Sequence, residues 1–390
     1  MIWRGGMLVW LALAAVAQQV APPRAQWRLA PLDAAAHTNS TALLAALQAG
    51  RDYALTNAYG TSLWLAVHVP WLTNHAVLTF EHRGAPFSAH AAQSYDSTDG
   101  SDGTWTALPL QVYYRSNDSY GRLQKLDLAP AAARWVRLTV TNQRAASSVI
   151  VYNLGMYTLD PAGADDYWLC VGASIQYQSI RSADFKSMVK SRFGYDPIIV
   201  NRAVSGWTTA NVRQELTNFL AEHPRARYVA VHIGGNNITA SRPFPGGTNA
   251  LAVDLRYIYT TITNAGRTLI VPRISYRQYS AAPVVDPLVP TSETNGSGPY
   301  NTAIVDALAA QYSPAFYDWS NNVPLVDPYA YFKDNAGELN ADGVHTGPAG
   351  QLSWNRLWAW GAGMVVYSNY VPPSTVTAPV ALQPANGSTV

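Results

Sequence analysis

The chain is 390 residues long, enough for two ordinary domains. Its 26 Lys and Arg stand against 24 Asp and Glu in a charged fraction of only 13%, so it has no basic face to neutralise a phosphate backbone, and nucleic acid is not an expected partner. A single cysteine excludes an internal disulfide, and 13 Trp with 23 Tyr suit sheet packing and surfaces that stack on sugar rings.

The beginning of the chain has the form of a targeting segment. Arg4 precedes an apolar run from Met7 to Ala17, and Ala15-Val16-Ala17 offers a small-x-small cleavage site before Gln18. The run falls short of the ~20 residues that span a bilayer. Residues 1–17 are therefore expected to be a signal peptide cut near Ala17, with the mature protein secreted or periplasmic and not stably inserted in a membrane; the rival reading is an uncleaved anchor.

From residue 27 to 160 the pattern is all-β. Alternating runs such as Ser62-Leu63-Trp64-Leu65-Ala66-Val67, Ala76-Val77-Leu78-Thr79-Phe80 and Trp135-Val136-Arg137-Leu138-Thr139-Val140 are separated by turn-rich stretches like Asp99-Gly100-Ser101-Asp102-Gly103. That spacing predicts an antiparallel β-sandwich. "STDGSDGTWTAL", "ARWVRLTVTN" and "SSVIVYNLGMYTL" resemble the discoidin-like, galactose-binding-like sandwiches attached to secreted carbohydrate enzymes. The resemblance implies either a loop end that binds sugar or calcium or a brace for the neighbouring domain.

After residue 160 the register changes, and a second domain is expected over residues 165–368. Apolar runs at Tyr167 to Val171, Ile198 to Val200, Tyr228 to Ile233, Thr268 to Ile274 and Pro324 to Asp327 alternate with helical patterns at Arg181 to Phe193, Ala210 to Glu222, Leu251 to Asn264, Tyr300 to Tyr312 and Gly350 to Met364. Five β-then-α units predict an α/β domain whose parallel sheet is covered by helices on both faces. Functional residues in such sheets collect at the carboxyl ends of the strands. The tail, residues 369–390, with Pro372-Pro373 and a Ser/Thr-rich run, reads as a linker and the start of a further, truncated module.

Four signals fall at predicted strand ends. Ser174, in Gly172-Ala173-Ser174, follows the first strand and opens a helix, where the hydroxyl faces solvent and developing negative charge is favoured; a routine helix cap would look the same. Asp342 and His345 share the loop before the last helix, so the carboxylate can hold the imidazole and stabilise the imidazolium; a surface histidine beside a capping aspartate has that spacing too. Gly206 after the second strand and Asn236 after the third could present a backbone N–H and a side-chain amide to an oxyanion, as could the N–H of Ser174, although turn chemistry explains both loops as well.

In that order the four signals resemble the SGNH hydrolases, the GDSL-type esterases, over about 200 residues from Tyr167 to Met364. The resemblance implies a three-layer α/β/α, flavodoxin-like fold with a five-stranded parallel sheet. It implies Ser174 as nucleophile, His345 and Asp342 as its triad partners, and Ser174, Gly206 and Asn236 as oxyanion donors. Two positions depart from the family pattern: Ala173 and Asn237 each stand where a carboxylate normally ties the active-site loops together.

The function so implied is a carboxylic ester hydrolase, secreted, releasing short acyl groups, acetyl above all, from small molecules or from a polysaccharide without a cofactor or metal. His68, His75, His82 and His90 form no ligand-like pattern for zinc. Trp207, Tyr177, Tyr276 and Tyr279 lie in or near the predicted loops and could line an acyl pocket or stack on sugar; core packing is the alternative for each. A lipase, polyester hydrolase or acyltransferase would use the same triad, and a carbohydrate-binding scaffold with an impaired hydrolase domain is the reading from another class.

Overall fold

The structure, a computed structural model, describes residues 53–56, 62–69, 71–72, 74–84, 87–113, 122–142, 148–159, 166–179, 182–237, 247–276 and 297–367. The expected signal peptide, the tail at 369–390 and Tyr279 lie outside the described residues.

Alternating sequence between residues 53 and 158 pairs into two antiparallel sheets. The first has the order β1 (Tyr53–Thr56), β9 (Ser148–Thr158), β3 (Ala76–Gly84), β7 (Arg122–Leu128), β6 (Gln111–Tyr113). The second runs β2 (Ser62–Val69), β8 (Arg134–Asn142), β4 (Phe87–Ser94), β5 (Thr106–Leu108). The two-residue period puts Trp64 and Ala66 of β2 on one face, where they form a small core with Trp135 of β8. The Arg137 guanidinium lies over that core's edge, 3.6 Å from the Trp105 ring centre and 4.9 Å from that of Trp64.

The first sheet also packs on the part of the chain that follows it. Val77 of β3 and Tyr157 of β9 belong to the same core cluster as Leu169, Val171 and Val229 of the parallel strands, and Lys125 donates to the carbonyl of Glu222 at 3.2 Å.

The strands that follow form a parallel sheet of order β11 (Ile198–Asn201), β10 (Tyr167–Gly172), β12 (Tyr228–His232), β13 (Thr268–Ile270). Continuous apolar strands are buried on both faces, and alternation divides them between two cores. Tyr167, Leu169, Val171, Ile198, Val200, Val229, Val231 and Leu269 face one; Trp168, Cys170, Ile199, Tyr228, Ala230 and Ile270 face the other. After α1 (Ser174–Ser179), helices α2 (Ser182–Phe193), α3 (Thr209–Glu222), α4 (Gly247–Asn264), α5 (Ser297–Tyr312), α6 (Pro328–Asp334) and α7 (Pro348–Val366) cover the sheet. The first core takes Val212, Leu216 and Phe219 of α3, Leu255 and Ile258 of α4 and Val305 of α5. The second takes Phe185 and Val189 of α2 and Trp354 and Trp358 of α7. Helices thus lie on both faces, as the β-then-α alternation implies.

The sheet has four parallel strands among the described residues, where five are expected from the sequence. The fifth segment forms β15 (Val323–Pro324) and pairs antiparallel with β14 (Tyr317–Asp318) instead. Its continuation meets the chain beyond β13 through Arg273 N–H to Val326 O at 2.9 Å. Pro272 and Pro324 carry no N–H, so a regular ladder fails on both sides of this seam. Arg273 fastens the segment with its side chain, 3.0 Å from Asp306 and 3.2 Å from Asp327.

The first strand, β10, lies between β11 and β12, so the order in which strands are added reverses beside it, and the loops leaving β10 and β11 part from each other at the carboxyl edge. Crevices at such reversal points are where open α/β sheets place ligands.

Candidate active site

Gly172 closes β10 opposite His232 of β12. A Cβ here would run into the His232 carbonyl and lie 2.9 Å from Cβ of Gln176, so only glycine lets the strand end this close to its neighbour and turn at once into α1. That turn delivers Ser174, 6% exposed, to the carboxyl edge of the sheet.

The segment around His345 is a self-braced hairpin. Leu339 bridges Thr346, Asn340 N–H donates to His345 O at 2.7 Å, and Gly343 N–H donates to Asn340 O at 2.8 Å. Asp342 Oδ1 accepts the N–H groups of Val344 and His345, both at 2.9 Å. Its Oδ2 lies 2.6 Å from His345 Nδ1, and His345 Nε2 lies 2.8 Å from Ser174 Oγ. A carboxylate only accepts, so Nδ1 bears the ring proton and Nε2 is left to accept from the serine hydroxyl. Desolvation pushes the Asp342 carboxyl up, but the bonds from the His345 ring and from the His345 and Val344 N–H groups outweigh it and hold the group below the usual carboxylate range. The side chains of His345 and Asp342 are 27% and 48% exposed, so the pair faces solvent rather than the core.

Gly206 lies past the end of β11 at φ +80°, in the left-handed region, with nothing within 4 Å of where a Cβ would stand. Here glycine answers to backbone conformation and not to crowding. Asn236 sits in the 3-10 turn Gly235–Asn237 after β12, and its Nδ2 donates to Trp207 O at 3.1 Å. The neighbouring Asn237 grips the start of α3 twice: Nδ2 donates to Thr209 Oγ1 at 2.8 Å, and Oδ1 accepts Thr209 N–H at 3.2 Å. Thr209 Oγ1 in turn donates to Asp254 Oδ2 of α4 at 2.9 Å, and Arg213 holds Asp254 Oδ1 at 3.0 Å.

On the other side of β10, Asn201 at the end of β11 donates to the carbonyls of Gln176 and Tyr177 at 3.2 and 3.4 Å and accepts Ala203 N–H at 3.0 Å. The loops are therefore tied together with Ala173 and Asn237 standing where carboxylates were expected; amide side chains do the tying. Sequence reasoning passed over Asn201, Thr209 and Asp254. Asn201, placed at a strand end, was the one with a readable signal.

The aromatic candidates separate. Trp207 is half-buried, its ring stacked on Phe219 with centres 5.9 Å apart, and Tyr177 is half-buried on α1. Tyr276, expected near the pocket, is 1% exposed and packs edge-on against Tyr329 at 5.7 Å, so its ring belongs to the core and offers no face to a sugar. Among the described residues no group of three or more His, Cys, Asp or Glu is placed to hold a metal ion, and no helix is long and apolar enough to cross a membrane.

Residues 170–352 match the model of the GDSL-like lipase/acylhydrolase family. The matched region begins within β10 and ends within α7, so it takes in most of the parallel sheet and the helices that cover it. No curated protein matches the chain. Similar solved structures include a lipase/acylhydrolase from Enterococcus faecalis, 16% identical with a TM-score of 0.40 over 53% of this chain and 98% of that one. A catalytic mutant of an acetylxylan esterase from Geobacillus stearothermophilus is 14% identical with a TM-score of 0.39 over 50% and 94%. A protein from Bacillus subtilis is 13% identical with a TM-score of 0.42 over 80% and 87%.

Proposed function

We propose that the protein is a serine esterase that hydrolyses short acyl esters through an acyl-enzyme, with Ser174 as nucleophile. The observation that carries this reading is the hydrogen-bonded line from Asp342 through His345 to Ser174, with contacts of 2.6 and 2.8 Å. Geometry of that kind is the requirement for general-base activation of a hydroxyl.

In the first step Ser174 Oγ attacks the ester carbonyl as its proton passes to His345 Nε2, and Asp342 stabilises the imidazolium. The oxyanion is received by the N–H groups of Ser174 and Gly206 and by the Asn236 amide, whose plane is set by its bond to Trp207 O. His345 then gives its proton to the departing alkoxide, and the alcohol leaves. A water, deprotonated by the same nitrogen, attacks the acyl-serine; the acid is released and Ser174 recovers its proton. Each oxyanion donor of this type is typically worth ~10²- to 10³-fold in rate.

As substrate we propose an acetyl ester on a polysaccharide, and as its walls the rings of Trp207 and Tyr177, which are half-buried. The two antiparallel sheets are read as a galactose-binding-like sandwich that accompanies the enzyme, and the mature protein as exported after removal of residues 1–17. A non-catalytic scaffold is the weaker reading, because a decayed site has no reason to keep the Asp342–His345–Ser174 alignment. The test is turnover of p-nitrophenyl esters of increasing chain length beside acetate release from acetylated xylan or pectin. Acetyl esters should be preferred; turnover of long acyl chains with no acetate released from any glycan would point to a lipase-like enzyme, and turnover of nothing would favour the scaffold.

A further inference from the structure

The lock between the two oxyanion loops depends on a carboxylate that lies in neither loop. Three hydrogen bonds join them: Asn236 Nδ2 to Trp207 O, Thr209 N–H to Asn237 Oδ1, and Asn237 Nδ2 to Thr209 Oγ1. The last requires the Thr209 oxygen to act as acceptor, and a hydroxyl has one proton to direct elsewhere. That proton goes to Asp254 Oδ2, which can only accept. Thr209 is fully buried and Asp254 nearly so, with the half-exposed Arg213 balancing the charge from the outer side. Buried polar chains of this kind fix one arrangement when every member is satisfied.

Resting on the esterase reading, we propose that Asp254 of α4 is a positioning residue for the oxyanion site: by orienting the Thr209 hydroxyl it sets the Asn237 amide, and through it the spacing of Gly206 and Asn236. Asn237 and Asp254 are a matched pair. A carboxylate at 237 would compete with Asp254 for the single hydroxyl proton of Thr209, and two negative charges would face each other across that oxygen.

The pairing makes a reciprocal test possible. Thr209→Val, close in shape but without the hydroxyl, and Asn237→Asp should each lower kcat roughly tenfold to a hundredfold with KM changed less than about threefold, because the donors act on the transition state. Asn237→Asp combined with Asp254→Asn should recover most of that loss, and Thr209→Ser should turn over well above Thr209→Val. In an Asn236→Ala background, Thr209→Val should add less than about threefold, since both act on one group of donors.

The proposal is overturned if the double variant is no better than Asn237→Asp alone, or if Thr209→Val moves the melting temperature and leaves kcat intact. Amide hydrogen exchange on the full chain separates this outcome from failure of the esterase reading. Even if the parent turns over no ester, faster exchange at residues 203–208 and 234–237 in Thr209→Val supports the lock, and parent-like exchange in both loops refutes it.

Discussion

The two halves of the candidate site are built in opposite ways. The proposed base and acid, His345 and Asp342, lie three residues apart in one hairpin whose backbone bonds, from Asn340 N–H to His345 O and from Gly343 N–H to Asn340 O, close on themselves. The proposed oxyanion half is assembled from two loops some thirty residues apart, joined by the side chains of Asn236 and Asn237 and braced by Thr209 of α3 and Asp254 of α4. A local device is settled once its own loop folds, whereas a non-local one inherits every shift of the elements that support it. The difference predicts steep, unrescuable losses on the base side and graded, compensable losses on the oxyanion side.

The largest effect belongs to the triad line. Ser174→Ala and His345→Ala should each cost on the order of 10⁴- to 10⁶-fold in kcat, with the double variant no worse than either, since the groups act as a unit. Asp342→Asn should cost about 10⁴-fold by removing the acceptor that fixes the imidazole tautomer. Steady-state kinetics on an activated ester checks all three. If substitutions on this side prove mild and additive, the contrast between the halves is lost.

Next in size is Asn236→Ala, which should lower kcat ~10²- to 10³-fold with little change in KM. A loss in KM alone would show that Asn236 binds substrate and does not stabilise the oxyanion.

The two turn glycines sharpen the comparison further. Gly172→Ala must push apart β10 and the His232 carbonyl, as overpacking does, and should destabilise by roughly 1–3 kcal/mol with disturbance of Ser174. Gly206→Ala meets open space and pays only for its positive φ, about 1 kcal/mol, while keeping the N–H. Thermal melts and reaction rates should therefore rank Gly172→Ala as the more damaging; the reverse order would mean that crowding at β10 is not what selects its glycine.

The smallest effect concerns pH and lies away from the site. Burial pushes the Asp166 carboxyl up to about 7 against the opposing bonds from Tyr367 and Trp168. A carboxyl with a raised folded pKa adds stability that is full below the unfolded value near 4 and is lost as pH rises through about 7. Asp166→Asn should flatten the decline in melting temperature between those limits. Asp306, pushed up to about 6 by burial, has the same sign and should leave a residual slope. Buried His223, held well below its ordinary value, acts in the opposite sense, losing its contribution as pH falls. An unchanged slope in Asp166→Asn would show that this carboxyl does not titrate in the range.

What could be read from the sequence follows the same division. Continuous apolar runs marked β10 to β13 because burial on both faces confines polar residues to the strand ends, and Asp342 with His345 was readable because the pair is local. Two kinds of feature were not. Pro272 and Pro324 sit inside or beside apolar runs that look like strands, and only pairing shows that the missing N–H groups break the ladder there. The link from Thr209 to Asp254 depends on how α3 lies against α4, and Tyr276 is core because Tyr329, more than fifty residues later, packs on it. Both are consequences of tertiary packing, and no local pattern carries them.

The central claim is that Ser174 is an activated nucleophile. Labelling the folded full chain with a fluorophosphonate and mapping the adduct tests it whatever the substrate: the account predicts a single adduct at Ser174, absent in Ser174→Ala and formed far more slowly in His345→Ala. A folded protein that takes no label at Ser174, or labels equally fast without His345, would contradict it.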